Sequence, residues 1–164
     1  MLTWMDVIED KSLQDLPYKI ELNRYGKIEM SPASNMHVLL QGELLHLIKS
    51  ALPGGVTIPE CSVQTTNGVR VPDVAWCSYR FFAEQQVRTP FTVAPEICVE
   101  VVSPSNAVAE MREKIALYLE AGAREVWLVD HDGNIRFHDQ GGERPMSGFG
   151  EFPLRLELPY LNKH

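Results

Sequence analysis

The sequence predicts a fold of the α/β or α+β class, in which a mixed central sheet is flanked by two main helices. Strand-like runs at residues 96–103 and 125–130 enclose an amphipathic helical run. A helix that links two strands in this way makes them parallel neighbours, joined by a right-handed crossover. Apolar residues also alternate at 18–30, and strand-like runs at 56–64 and 69–77 flank a turn, so both regions predict antiparallel strand pairs.

The N-terminal part of the chain predicts a hairpin followed by the first main helix. Residues 1–16 show no clean periodicity and predict an N-terminal helix or arm. Alternating apolar residues over 18–30, divided by a turn at Arg24-Tyr25-Gly26, predict a β-hairpin. Leucines then recur at helical spacing over 36–51, and Ser34 is the expected N-cap of this helix.

The middle of the chain predicts two strands that are joined by a tight turn. Residues 56–64 and 69–77 both have strand character. The Asn67-Gly68 pair between them favours the positive φ values of a hairpin turn. Residues 79–94 form a mixed connection that leads to the strand at 96–103.

The second main helix is expected to follow the strand at 96–103. Ser105 or Asn106 would cap its start, and Gly122 would end it in the left-handed conformation that glycine favours. The residues of its expected core face recur at helical spacing: Val108, Met111, Ile115 and Leu119.

The C-terminal part predicts three further strands. A buried strand at 125–130 turns at 131–134 into a strand at 135–138. Alternating leucines over 151–161 then predict a C-terminal edge strand. The chain shows no internal repeat, low-complexity tract or linker, so we expect residues 1–164 to form one domain.

Composition and charge limit the classes of function. The 164-residue chain has a formal net charge of −7, which weighs against a protein that coats nucleic acid through its own field. A nuclease is compatible with this charge, because bound cations partly neutralise acidic metal ligands. No apolar run is long enough to cross a bilayer, and the first residues lack the basic and apolar regions of a signal peptide. We therefore expect a cytoplasmic protein with no membrane partner.

One acidic residue interrupts an otherwise apolar strand. Glu100 lies within the run Ile97–Val102, where a carboxylate loses its hydration. An unpaired buried charge costs several kcal/mol, so something must compensate it. A metal ion, a cationic side chain or a proton would each do so.

A second acid, Asp73, follows Pro72 in a strand that is expected to pair with or neighbour the strand of Glu100. If the two strands are adjacent, both carboxylates reach the same edge of the sheet. Two close acids repel one another unless a divalent cation lies between them. Carboxylate and carbonyl oxygens, with water or phosphate at the remaining positions, suit Mg²⁺ or Mn²⁺.

Three further residues are candidates for the site. Lys114 lies on a flank of the second helix with Tyr118, and could orient an attacking water or stabilise charge on phosphorus. Tyr118 could position Lys114 or a phosphate. His37, one turn into the first helix, is the other candidate for substrate binding.

Each candidate also has a structural alternative. Asp73 could simply end or kink an edge strand after a proline. Glu100 could form a structural ion pair with Lys114 or Arg112 without any metal. Lys114 could be a solvated helix residue, and Tyr118 could pack in the core. His37 could make only a local hydrogen bond.

The order of these residues carries a resemblance to a known group of proteins. The ordered set is Pro72-Asp73, Glu100-Val101-Val102-Ser103-Pro104, Lys114, Tyr118, Gly122 and the run 125–130. It resembles the PD-(D/E)XK nuclease superfamily over residues 18–130, and more narrowly its bacterial branch of restriction endonucleases of unknown function.

The resemblance implies a restriction-endonuclease-like fold, a Mg²⁺ (or Mn²⁺) site at Asp73 and Glu100, and hydrolysis of phosphodiester bonds in nucleic acid, with DNA as the first expectation. The superfamily places a lysine two residues after the acid, where this chain has Val102. Lys114, from the next helix, is the expected replacement. Double-strand cutting by so small a domain would need two copies, so we also expect a homodimer.

Three functions follow as hypotheses. The first is a Mg²⁺-dependent nuclease with Asp73, Glu100 and Lys114 as its catalytic residues. The second is a catalytically weak or inactive nuclease fold that binds nucleic acid or protein, which the acidic net charge and Val102 favour. The third is a phosphatase-like hydrolase of small phosphate esters.

Overall fold

The computed structural model describes residues 1–161 and contains two β-sheets instead of the single sheet expected. The helices are α1 (Trp4–Glu9), α2 (Asn35–Ala51), α3 (Tyr79–Gln85) and α4 (Val108–Glu120), with 3₁₀ turns at Lys11–Leu13 and Pro159–Leu161. The strands are β1 (Tyr18–Leu22), β2 (Ile28–Pro32), β3 (Gly55–Pro59), β4 (Val63–Thr65), β5 (Gly68–Arg70), β6 (Val74–Ser78), β7 (Ile97–Val102), β8 (Glu125–Asp130), β9 (Ile135–Asp139) and β10 (Gly142–Arg144).

The larger sheet is mixed and has the strand order β10-β9-β8-β7-β6-β3. Strands β7 and β8 are parallel and are connected through α4, which confirms the predicted crossover. The smaller sheet has the order β2-β1-β5-β4, and its strand pairs are antiparallel. The predicted N-terminal hairpin is confirmed as β1 and β2.

The two strands predicted at 56–64 and 69–77 form one long hairpin that is divided between the sheets. Its base, β3 with β6, belongs to the larger sheet, and its tip, β4 with β5, belongs to the smaller one. The prediction of two continuous strands was therefore wrong. Pro59 ends β3 and Glu60 follows with a φ of 52°, while Pro72 interrupts the other arm because it has no N–H to donate. Asp73 consequently lies at a bend between strands and not in the middle of one.

The two main helices pack on opposite faces of the larger sheet. Leu40, Leu44 and Ile48 of α2 lie in a core cluster with Val99 of β7. Tyr118 of α4 lies in a second cluster with the adjacent strand residue Cys98, because successive side chains of a strand point to opposite faces. Ser34 caps α2 as predicted, and its Oγ accepts a hydrogen bond from the N–H of His37 at 3.1 Å.

The start of α4 differs from the prediction. Its N-cap is Ala107, which makes no capping bond through its side chain, and neither Ser105 nor Asn106 takes that position. The amide oxygen of Asn106 instead accepts a hydrogen bond from the N–H of Ser103, at 2.9 Å. Gly122 follows the helix with a φ of 114°, as the sequence predicts.

The buried face of α4 is also rotated from the predicted one. Its buried residues are Met111, Lys114, Leu117 and Tyr118, whereas Val108 is 68% exposed. The apolar pattern misplaces this face because it cannot anticipate a lysine that is buried against acids.

The structure adds a short helix to one predicted segment and corrects the prediction for another. The mixed connection at 79–94 contains α3, which is capped by Ser78. The predicted edge strand at 151–161 is wrong, since this segment forms one isolated bridge, Asn134↔Arg155, and a 3₁₀ turn. Pro153 and Pro159 interrupt it and cannot donate backbone hydrogen bonds. Within residues 1–161, the helices are too short or too polar to cross a membrane.

Candidate active site

Asp73 and Glu100 meet at the junction between β6 and β7. The pairing Val74↔Val99 places the residue before β6 beside Glu100. Both acids are buried, with Asp73 0% and Glu100 2% exposed. The N–H of Val101 donates to Asp73 Oδ2 at 2.7 Å, and the Gln41 side chain donates to the Asp73 carbonyl at 2.8 Å. The acid at the bend is thus fixed in place through both its carboxylate and its backbone.

A lysine that was not predicted lies between the two acids. Lys19 Nζ is 3.1 Å from Asp73 Oδ1 and 3.0 Å from Glu100 Oε2. Lys19 belongs to β1 of the smaller sheet, whereas Glu100 belongs to the larger one. The two carboxylates therefore converge on a cation that comes from the other sheet.

A second lysine contacts the far side of Glu100. Lys114 Nζ is 3.4 Å from Glu100 Oε1 and 3.0 Å from Glu21 Oε1. The hydroxyl of Tyr118 donates to Glu100 Oε1 at 2.7 Å. Glu21 is itself buried and accepts a hydrogen bond from the N–H of Val71 at 2.7 Å.

The ionic contacts continue outward at both ends of the site. His37 Nε2 is 3.1 Å from Asp73 Oδ1, and Arg70 Nη1 is 3.9 Å from Glu21 Oε1 and 2.5 Å from Glu29 Oε2. The result is a continuous row of alternating acids and bases, which we call the ionic row: His37, Asp73, Lys19, Glu100, Lys114, Glu21, Arg70 and Glu29.

Burial and charge shift the pKa values of this row in different directions. Burial raises the pKa of the Glu100 carboxyl, although the two lysines oppose this effect. Burial would also raise the pKa of Asp73, but Lys19 and His37 outweigh it and lower that pKa. For Lys19 and Lys114, burial disfavours the charged form, but the nearby acids prevail and raise both pKa values. Both lysines therefore carry a positive charge at neutral pH.

The two residues predicted to bind substrate occupy different positions. The pKa of Tyr118 is raised well above its usual range by burial and by Glu100, so its hydroxyl keeps its proton and donates to that acid. His37 is half-buried at the outer end of the row, and its hydrogen bond to Asp73 raises its pKa. The structure thus brings together all five predicted site residues, and their roles stay predictions.

Sequence reasoning missed Lys19 and Glu21. They lie two positions apart in β1 and therefore share one face of that strand. Their spacing of two residues was the available signal, but polar residues on one face of a hairpin ordinarily face water. The ion-pair alternative for Glu100 named Lys114 or Arg112, and the partners are Lys19 and Lys114. Arg112 is exposed.

The donor set suits a hard divalent cation. Asp73 Oδ1 and Glu100 Oε2 each lie within about 3 Å of the Lys19 ammonium, so a cation already occupies the point where they converge. Across residues 1–161, His, Cys, Asp and Glu side chains form no cluster of three that could hold a metal. Two carboxylates are enough for Mg²⁺, which usually keeps several waters and binds substrate phosphates. The residues present therefore fit Mg²⁺ or Mn²⁺.

The mixed sheet, the α4 crossover and the facing acids are those of a restriction-endonuclease-like fold, consistent with the PD-(D/E)XK superfamily. The sequence profile of the family described as "Uma2: Putative restriction endonuclease" matches residues 10–159, and the chain belongs to this family. Its fold is similar to the crystal structure of a "putative nuclease belonging to DUF820" from Anabaena variabilis, with a TM-score of 0.72 at 18% identity over 92% of each chain. A search of curated protein sequences finds no match.

Proposed function

We propose that this protein is a Mg²⁺-dependent nuclease that hydrolyses phosphodiester bonds of nucleic acid, with DNA as the first substrate to test. The observation that carries the proposal is the convergence of Asp73 and Glu100, from a bend and an adjacent strand, on one cation position. Membership of a family described as restriction endonucleases supports the same reaction class.

Asp73 and Glu100 would hold the ion. A bound Mg²⁺ or Mn²⁺ supplies a water of lowered pKa and polarises the phosphate. The N–H of Val101 fixes the Asp73 carboxylate, and the Tyr118 hydroxyl fixes that of Glu100. These two hydrogen bonds keep both acids in position before substrate arrives, which limits reorganisation during the reaction.

The superfamily pattern has a lysine at the position that Val102 occupies in this chain. Lys114 is the proposed replacement for that lysine. Its ammonium lies 3.4 Å from Glu100 Oε1, on the side of that carboxylate away from Lys19. A charged lysine beside a metal-binding acid can orient water or stabilise negative charge on the phosphate. His37, half-buried beside Asp73, would contact a substrate phosphate at the outer end of the row.

A second candidate function is a weakly active or inactive nuclease fold that binds nucleic acid or protein. One observation favours it: the acids of the site are already paired with Lys19 and Lys114, so the site is charge-balanced without a metal. In this case the ionic row would serve the fold alone.

One experiment separates these functions. Single- and double-stranded DNA and RNA are incubated with the protein in Mg²⁺, Mn²⁺ or EDTA, alongside Glu100→Gln and the exposed control Glu84→Gln. We expect metal-dependent cleavage that Glu100→Gln loses and Glu84→Gln keeps. Binding without cleavage would favour the second candidate. No cleavage, together with no Mn²⁺-induced change in Tm, would rule out both the nuclease and its metal site.

We also propose a cytoplasmic homodimer, as the sequence predicts. Light scattering coupled to size-exclusion chromatography tests the dimer directly, and a monomeric mass at micromolar concentration would contradict it.

A further inference from the structure

Lys19 occupies the position that the proposed metal needs. We propose that Lys19 is a resident counter-cation, which a divalent ion must displace and which thereby sets the metal affinity of the site. This inference rests on the proposed function, because it takes Asp73 and Glu100 as the metal ligands.

The distances place the two cations in competition for the same two oxygens. Lys19 Nζ lies 3.1 Å from Asp73 Oδ1 and 3.0 Å from Glu100 Oε2. A Mg²⁺ ion bound by the same two oxygens would lie about 2 Å from each of them. The ammonium and the ion would then overlap or lie in direct repulsive contact. We therefore expect metal binding by both acids to displace the Lys19 side chain.

The charge balance of the row points the same way. Along the ionic row the acids and the cationic side chains alternate, and both lysines have raised pKa values. Adding a divalent ion without removing a lysine would leave excess positive charge in a low-dielectric site. Release of the Lys19 ammonium reduces that excess and exchanges one cation for another.

The surroundings of Lys19 offer its side chain another location. A cavity of about 240 Å³ lies beside it, beneath α1, and is lined by Lys19, Trp4 and Glu60 among others. Glu60 is exposed there and supplies a carboxylate. In the proposed exchange the displaced ammonium moves toward this cavity, which the Glu60 side chain also lines.

Lys114 provides a matched comparison within the same row. It also contacts Glu100, but through Oε1, and its second acid is Glu21 instead of Asp73. Lys114 therefore lies away from the point where the two proposed ligands converge. Neutralising either lysine removes one positive charge near Glu100, but only the change at Lys19 vacates the metal position.

The test is Mn²⁺ binding without substrate, measured by calorimetry and by the loss of the free Mn²⁺ electron paramagnetic resonance signal. Lys19→Met should bind Mn²⁺ at least about 10-fold more tightly than the wild type, and Lys114→Met should gain clearly less. Lys19→Met should have a lower Tm in EDTA and a larger Tm increase with Mn²⁺ than the wild type. Adding Glu100→Gln to Lys19→Met should abolish this binding.

Lys19→Gln covers the case in which Lys19→Met fails to fold, because glutamine retains a donor for the carboxylates. It too should bind Mn²⁺ more tightly than the wild type. If the wild type binds Mn²⁺ and neither Lys19 variant binds it more tightly, the displacement inference is wrong and the metal site stands. If neither the wild type nor the variants bind Mn²⁺, the metal site is wrong and the inference fails with it.

Discussion

Two glutamates are buried on the neighbouring parallel strands β7 and β8, and their partners differ in kind. Glu125 accepts hydrogen bonds from Trp127 Nε1 and Ser147 Oγ, both at 2.8 Å, and from the N–H of Gly148. Glu100 instead faces the ammonium groups of Lys19 and Lys114. One acid is satisfied by neutral donors and the other mainly by cations.

The difference separates a structural acid from one suited to exchange its partners. The donors of Glu125 include backbone and indole N–H groups, which are fixed by the fold and attach the segment around Ser147 to the sheet. Lysine side chains are long and flexible, and a metal ion can take the place of an ammonium. A buried carboxylate in a strand is therefore not sufficient evidence of a site, but the type of its partners is informative.

The strongest test of this comparison is the pair Glu100→Gln and Glu125→Gln. Because Glu100 is a proposed metal ligand, its variant should lose at least about 100-fold in nuclease activity while remaining folded. Glu125→Gln should lose about 1–3 kcal/mol of unfolding free energy, because an amide N–H₂ then faces other donors. Its activity per folded molecule should be unchanged. Equal activity losses in the two variants would refute the distinction.

A second comparison concerns the cost of removing one partner from each acid. Lys114→Met should lower the free energy of unfolding by about 3 kcal/mol, because it leaves Glu21 and Glu100 without a cation on that side. Ser147→Ala removes one neutral donor from Glu125 and should cost about 1 kcal/mol. Urea denaturation in EDTA measures both. A larger loss for Ser147→Ala would mean that the neutral donors of Glu125 contribute more stability than the ion pairs of Lys114.

The smallest expected effect is the pH dependence that His37 contributes. Its pKa is raised from 6.5, chiefly by the hydrogen bond to Asp73, so the folded protein holds this proton more tightly than the unfolded chain. The stabilisation is fully present below pH 6.5 and is lost as the pH rises through the folded pKa. The free energy of unfolding of the wild type should exceed that of His37→Gln by about 1 kcal/mol near pH 5.5. This difference in stability should shrink as the pH rises above neutrality. If the difference in unfolding free energy stayed the same from pH 5.5 to above neutrality, the proposed contribution of His37 would be wrong.

The local elements could be predicted from the sequence, and their confirmed members are the β1–β2 hairpin, α2 with its Ser34 cap, and the parallel β7–α4–β8 unit. Each is encoded by periodicity within a short window. The proximity of Asp73 and Glu100 could also be predicted from the sequence, because it depends only on which strands are neighbours.

The missing part of the site depends on contacts between distant segments. Lys19 is 54 residues from Asp73 and 81 from Glu100 along the chain, and it reaches them from a different sheet. The sequence shows Lys19 and Glu21 as the polar face of a hairpin, which is the ordinary pattern of a solvated strand. The sequence did suggest Lys114 as a partner of Glu100, but it placed Lys114 on the flank of α4 and not on the buried face.

The division of the long hairpin between two sheets has a consequence for how the molecule is held together. The smaller sheet has its own apolar cluster, which includes Trp4, Leu22 and Val69 and is separate from the clusters of the larger sheet. The smaller sheet and the larger sheet with its helices form two layers. Lys19 and Glu21 of the smaller sheet form ion pairs with Glu100 and Lys114 of the other layer. Cohesion between the layers is thus partly electrostatic, and it depends on the residues proposed for chemistry. Substitutions that retune the chemistry will therefore also alter how firmly the two layers adhere.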